Sequence, residues 1–223
     1  PPRSTLFPYT TLFRSVAALL KKSGALLFVT GAGLSADSGL PTYRGIGGLY
    51  EEKEGEDGMP IEKLLSGEVL YERPEITWKY LLQIEKSCRM ASFNRGHAVI
   101  AEMEKHFPRV CILTQNVDGF HRQAGSSNVI DIHGDLHHLR CMECDYKTVV
   151  NDYAHLSLPP RCPDCQAIVR PDVVLFGEML SMEKYNAFME EFGKGFDMVF
   201  SIGTTSLFPR SEERRVGKEC RSR

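Results

Sequence analysis

Apolar residues gather in short runs, separated by stretches whose apolar and polar positions repeat at helical spacing. The runs cover 25–30, 109–114, 128–133, 172–176 and 197–203, each of strand length and dominated by Val, Ile, Leu and Phe. Strand-like runs alternating with helical stretches predict an α/β fold, with a parallel sheet covered on both faces. Residues 16–23 (VAALLKKS) read as the end of a helix stopped by Gly24. Between Gly45 and Phe107 lie three helical patterns, Ile61–Leu65, Ile76–Glu85 and His97–Lys105, which predict a helical insertion over about 46–107. The chain shows no internal repeat and no low-complexity tract.

The run Ala25–Thr30 (ALLFVT) leads into Gly31-Ala-Gly-Leu-Ser-Ala-Asp-Ser-Gly-Leu-Pro-Thr-Tyr43, followed by Arg44-Gly45. Glycines after a buried strand let the backbone approach a ligand, and free N–H groups at a helix start face an anion. The spacing Gly31, Gly33, Ala36 fits the loose dinucleotide fingerprint, which predicts a Rossmann-like parallel sheet domain. The acidic partner of that fingerprint would fall near Glu51 and Glu52, where the Gly/Glu-rich stretch 45–58 offers no second strand to present it. Ser35, Asp37, Ser38, Tyr43 and Arg44 add a polar cluster that strand-to-helix packing does not require.

Four of the seven cysteines form Cys141-x2-Cys144, seventeen residues, then Cys162-x2-Cys165. This is the spacing of a tetrathiolate zinc site. Four thiolates close the coordination sphere and leave no position for water, so the predicted Zn2+ is structural. A disulfide reading would need an oxidising compartment, and no export signal is seen, so the expected location is cytoplasmic. Cys88 and Cys111 read as ordinary buried thiols. Alone, a ribbon over about 135–170 could be a nucleic-acid or protein-binding module. Its place between the runs 128–133 and 172–176 predicts instead an insertion that, with the helical one, makes a small domain.

The two ends change the charge picture. Residues 2–15 and 210–223 can be written as antisense of each other, codon by codon, with Leu6 as CTC against Glu219 as GAG and Phe7 as TTT against Lys218 as AAA. The implied DNA resembles a sequencing adapter read in opposite directions. The expectation is therefore that 1–15 and 210–223 are artefactual and that 16–209 is the natural part of the chain. The ends hold 8 of the 27 Lys+Arg and 3 of the 29 Asp+Glu, which leaves a net charge of −7 for the body. An acidic body predicts no nucleic-acid binding. No apolar run is long enough to span a membrane, so no membrane partner is expected.

The Gly31 loop resembles the sirtuin signature, Gly-Ala-Gly-x-Ser ending in an aromatic-Arg pair. Thr114-Gln-Asn-Val-Asp118, Ile132-His133-Gly134 and Phe176-Gly177-Glu178 follow in family order, so the likeness runs from about residue 25 to 208. It implies a bacterial-type NAD-dependent protein deacylase that consumes NAD as co-substrate, with 16–209 as its catalytic domain, incomplete at the C-terminus. His133 would be the general base, a task suited to imidazole, with Asn116 as its catalytic neighbour. Gly31, Ala32, Gly33, Ser35, Thr42, Tyr43, Arg44, Gln115, Asn116, Asp118, His133, Gly203, Thr204 and Thr205 would contact NAD. Val174, Phe176 and Gly177 would line the acyl-lysine channel, with Leu207–Pro209 as a second wall. His121 and Gly125 complete the QNxDxxHxxAG pattern as structural residues, while His137 and His138 are expected to be exposed or packing.

The implied reaction transfers an acyl group from protein lysine to ADP-ribose and releases nicotinamide. Its substrates would be acylated-lysine proteins or peptides. Members that remove succinyl or malonyl groups carry a Tyr-x-x-Arg pair, and here the match is Tyr80-Leu-Leu-Gln83, or Ile84 with a one-residue shift. Neither supplies a cation, so a neutral acyl group is expected. Two alternatives stay open: a sirtuin-like mono-ADP-ribosyltransferase, and a noncatalytic zinc-bearing interaction fragment.

Overall fold

The computed structural model describes residues 7–41 and 58–204. Thr42, Tyr43, Arg44, Thr205 and the Leu207–Pro209 wall lie outside the described residues. The strands are β1 Ala25–Thr30, β2 Arg109–Thr114, β3 Val129–Asp131, β4 Gly134–Cys141, β5 Lys147–Val149, β6 Val169–Val173 and β7 Met198–Ile202. The helices are α1 Phe7–Leu20, α2 Ala32–Ser35, α3 Ile61–Leu64, α4 Gly67–Glu72, α5 Pro74–Met90, α6 Arg95–Met103, α7 Phe120–Gln123 and α8 Met182–Gly193. The helix expected before Gly24 thus starts at Phe7, inside the segment set aside as artefactual.

β1 sits inside a parallel sheet of order β3-β2-β1-β7. Its uninterrupted apolar run reflects burial on both faces. Leu26 and Phe28 join Val110 and Ile112 on one side, and Leu27 and Val29 join Cys111 and Ile130 on the other. β7 closes one edge of this sheet with alternating half-buried and exposed residues, Val199 being 57% exposed.

One expected strand does not belong to that sheet. The run 172–176 begins inside the cysteine ribbon, where β6 pairs antiparallel with β4, and β4 with β5. Val169 lies opposite Cys141, so the hairpin of the ribbon captures the strand before it can reach the parallel sheet. Val174 onward then leaves the ladder as an extended connection. β3 is likewise shorter than the run 128–133 and stops at Asp131.

The helical insertion and the ribbon share one core. α5 starts at Pro74, whose missing N–H costs nothing in a first turn, and presents Trp78, Leu81, Glu85 and Cys88 on its buried face. Trp78 is fully buried, donates Nε1–H to Val169 O at 3.2 Å, and meets the Tyr153 ring edge-on at 5.3 Å. Tyr153 in turn donates its hydroxyl to Leu136 O. The small domain therefore stands on contacts between segments far apart in sequence.

Candidate active site

The glycines after β1 pack against a second loop. Gly31 N–H donates to Ile202 O at 3.0 Å and Gly33 N–H to Gly203 O at 2.9 Å. A Cβ on Gly31 would stand 2.7 Å from Gly203 O, and one on Gly33 2.7 Å from Gly203 Cα. These residues interlock the loops after β1 and β7, and the Gly33 amide is occupied rather than free for an anion. Gly203 has φ +66°, with a would-be Cβ 2.1 Å from Leu34 N, so a side chain there meets backbone.

A web of neutral hydrogen bonds and one carboxylate joins this loop to the residues after β2. Ser35 Oγ donates to Asp118 Oδ2 at 2.6 Å, and the other Asp118 oxygen accepts Phe120 N–H at 3.0 Å. Asn116 Nδ2 donates to Gly31 O at 3.2 Å and Ser35 Oγ at 3.1 Å. Gln115 N–H donates to Thr30 O, and Thr204 Oγ1–H reaches Gln115 Oε1 at 3.4 Å. A capped turn would explain only the Phe120 contact. The bonds from Ser35, more than eighty residues away in the chain, require a long-range assembly at the carboxyl edge of the sheet, where open α/β sheets bind ligands.

His133 lies two residues beyond β3. Its Nδ1–H donates to Gln115 O at 2.9 Å, which fixes the tautomer and leaves the Nε2 lone pair as the basic site. Burial lowers its pKa below the ordinary histidine value, with the Gln115 bond partly offsetting. The ring is therefore neutral at pH 7 and able to accept a proton. The backbone carbonyl of the same residue accepts Val174 N–H at 2.8 Å. Val174 is thereby held beside His133, while Phe176 N–H turns to Leu65 O at 3.0 Å and Phe176 is 37% exposed, with Gly177 next in the chain.

Ala32, Ser35, Asn116 and Asp118 line a cavity that continues to Tyr80 and Gln83 on α5. Its described lining holds no lysine or arginine. Gly31, Ala32, Gly33, Ser35, Gln115, Asn116, Asp118, His133, Gly203 and Thr204 thus meet in one region. His137 is partly buried, and His138 is exposed beside Asp135.

Several supports were not read from the sequence. Asn94 and His97 form a capping box at the start of α6, and Asn94 Nδ2–H also reaches Leu34 O at 2.7 Å and Ser38 Oγ at 3.2 Å. The Asn-x-x-His spacing signals the cap, but nothing local signals the reach to residue 34. His121, expected as a structural residue, shares a 2.9 Å hydrogen bond through Nε2 with Thr30 Oγ1, and its ring packs 5.0 Å from that of His97. Burial, then the neighbouring His97, lowers the His121 pKa to about 4, so it is a neutral structural group. Buried Arg170 pairs with partly buried Glu178; Glu178 stands in the Phe-Gly-Glu motif without an assigned role.

The four predicted metal cysteines converge. Sγ separations are 3.4 Å for Cys141–Cys165, 3.6 Å for Cys144–Cys162 and 3.6 Å for Cys144–Cys165, and all four sulfurs lie within 4.8 Å of one another. A tetrahedron with Zn–S near 2.3 Å has edges of about 3.8 Å. The donor set and its size fit Zn2+, with no place for a fifth, reactive ligand.

The Sir2 family model matches residues 31–208. NAD-dependent protein deacylase 2 of Pseudomonas aeruginosa is 50% identical over 198 residues, spanning 87% of this chain and 77% of the relative. The protein of the same name from Pseudomonas syringae pv. tomato is 46% identical over 200 residues, 88% and 80% of the two chains. Among solved structures, a Sir2 homolog–NAD complex superposes with a TM-score of 0.77 at 34% identity, over 87% of this chain and 73% of that one. A Sir2–p53 peptide–NAD+ complex does so at 0.74 and 27%, over 88% and 78%. With the glycine loop, the polar web, His133 and the four cysteines in one fold, the chain belongs to the Sir2 family.

Proposed function

We propose that this protein is an NAD-dependent protein lysine deacylase. The observation that carries the reading is His133, partly buried, its charged form disfavoured by that burial and its Nδ1–H donated to Gln115 O, which leaves Nε2 as the basic site and ties the ring to the turn that carries Asn116 and Asp118. When bound, NAD supplies an electrophilic ribose carbon with nicotinamide as leaving group. Gly31, Ala32, Gly33, Gly203 and Thr204 form the floor against which it would lie, together with Thr42, Tyr43, Arg44 and Thr205. Asn116 and Asp118, tied to Ser35, would orient the ribose hydroxyls and the carboxamide, while Gln115 steadies His133 from behind. His133 Nε2 takes the proton of the ribose hydroxyl that receives the acyl group. With the acyl carbonyl oxygen bonding to that ribose carbon as nicotinamide leaves, and one water consumed as the lysine amine is released, the products are free lysine, nicotinamide and O-acyl-ADP-ribose. Zn2+ held by Cys141, Cys144, Cys162 and Cys165 keeps the small domain folded and takes no part in the chemistry.

The same reading takes Val174, Phe176 and Gly177 as the wall facing an acylated-lysine peptide. Its acyl group is neutral, because the described cavity lining offers Gln83 and Ile84 and no cation to pair with a carboxylate. The acidic body argues against nucleic acid as a partner. No helix among the described residues is long and apolar enough to cross a membrane. Cysteines gathered as free thiols suit the cytoplasm.

Incubation with NAD and an acetyl-lysine peptide, followed by product mass spectrometry, tests the proposal. Deacetylated peptide and O-acetyl-ADP-ribose in equal amounts are expected. ADP-ribose attached to protein, or succinyl-lysine turned over much faster than acetyl-lysine, would overturn the corresponding part.

A further inference from the structure

The connection from β6 to α8 leaves its sheet at Val173, yet its backbone is held almost group by group. Val174 N–H goes to His133 O at 2.8 Å, Phe176 N–H to Leu65 O at 3.0 Å, and Gly67 N–H to Phe176 O at 3.1 Å. Glu178 N–H turns back to Leu175 O at 3.1 Å, and two side chains add the other ties. Arg170, 2% exposed, donates Nη2–H to Val173 O at 2.6 Å and grips both oxygens of Glu178 with its fork. Glu178 Oε2 accepts Leu175 N–H at 2.8 Å. Val174 C=O and Gly177 N–H are left without a partner among the described residues, the pattern of an edge open to an incoming strand.

We propose that Arg170 and Glu178 are a positioning pair that clamps Val174–Gly177 in the extended form met by the acyl-lysine peptide, and so sets peptide affinity separately from NAD binding. This rests on the reading of that segment as the peptide wall. The clamp spans the segment from Val173 O to Leu175 N–H, so it fixes both ends of the stretch that carries the Val174 carbonyl. Burial alone would raise the Glu178 pKa, but the Arg170 and Leu175 hydrogen bonds outweigh it and hold the carboxyl below its ordinary range, so the pair is ionised. A bidentate guanidinium–carboxylate pair gives directional hold that a lysine could not. Gly67 makes room for it: a Cβ there would fall 2.8 Å from Glu178 Oε1. None of these atoms reaches the Ser35–Asn116–Asp118 web.

Steady-state kinetics of the full chain, with peptide and NAD varied separately, test this. Glu178→Gln is expected to raise the peptide KM by about tenfold or more while kcat and the NAD KM move by less than about threefold. Arg170→Lys, which keeps the charge and loses the fork, should fall between that variant and the parent. A pair that only stabilises would lower the melting temperature and leave both KM values alone, and that result overturns the proposal, as does an equal change in the two KM values. Should Glu178→Gln not fold, Gly67→Ala displaces the carboxylate instead, with the same peptide-specific rise expected and an unchanged peptide KM overturning it. If the parent chain shows no NAD-dependent turnover, the functional reading fails by itself. The clamp is then judged by amide exchange at Leu175 and Phe176, which must quicken by about tenfold in the variant with β1 unaffected; equal exchange sinks it.

Discussion

The two sides of the site are held together by different physics. On the parallel-sheet side, loops after β1 and β7 touch backbone to backbone through Gly31, Gly33 and Gly203, and neutral hydrogen bonds from Ser35 and Asn116 complete the assembly. On the small-domain side, four thiols gather around a metal-sized space and a partly buried ion pair ties down the segment after β6. His133 joins them, its ring bonded to Gln115 and its carbonyl to Val174. The first side has no room for a methyl group but carries little charge; the second has charge and metal chemistry that cannot be removed one partner at a time.

Metal removal should break the comparison most completely. Structural zinc in small metallo-domains contributes about 10–16 kcal/mol of binding free energy that is also folding free energy. Cys162→Ser, or a strong chelator, is expected to unfold the ribbon with the insertion packed on it and to abolish turnover. Trp78 is the only tryptophan and is fully buried in that core, so its fluorescence should shift to that of a solvated indole. If zinc loss leaves Trp78 emission unchanged, the shared core is not what holds the small domain.

A smaller effect on the opposite side follows from one methyl group. Gly203→Ala puts a Cβ 2.1 Å from Leu34 N at φ +66°. The backbone conformation alone costs about 1–3 kcal/mol, and the clash must be relieved by parting the two loops. NAD affinity by calorimetry should fall by at least about tenfold, the equivalent of 1.4 kcal/mol, while zinc content stays at the parental level. Lost zinc would mean that the two sides are not independent.

Much of this was legible in the sequence, for physical reasons. Runs of strand length mark a sheet buried on both faces, and paired CxxC knuckles mark a tetrathiolate whatever surrounds them. The motif after β1 marks a strand-to-helix loop, but nothing local in it signals that Gly33 packs on Gly203, 170 residues away. Residues 172–176 misled because an apolar run does not say which sheet will take it. That depended on β4, placed nearby by the ribbon hairpin. Arg170 and Glu178 were hidden because a charged residue in a sequence reads as solvated until a fold buries it.

The effect smallest near neutrality concerns the joint itself. Burial disfavours the imidazolium form of His133 and lowers its pKa below the ordinary value, while the Gln115 bond pulls modestly the other way. A base is useful only when unprotonated, so activity should be flat through neutral pH and fall on acidification, by about tenfold per pH unit once below the pKa. Because the pKa is depressed, the limb in kcat/KM should lie below the ordinary histidine value of about 6.5. A limb at or above that value would mean that His133 is more hydrated, or more closely faced by a carboxylate, than its place behind Gln115 implies. Glu178→Gln sharpens the point: it should change the peptide KM and leave the limb where it is. The pair acts on the carbonyl side of His133 through Val174, whereas the proton sits on the ring, whose orientation is set from the sheet side through Gln115.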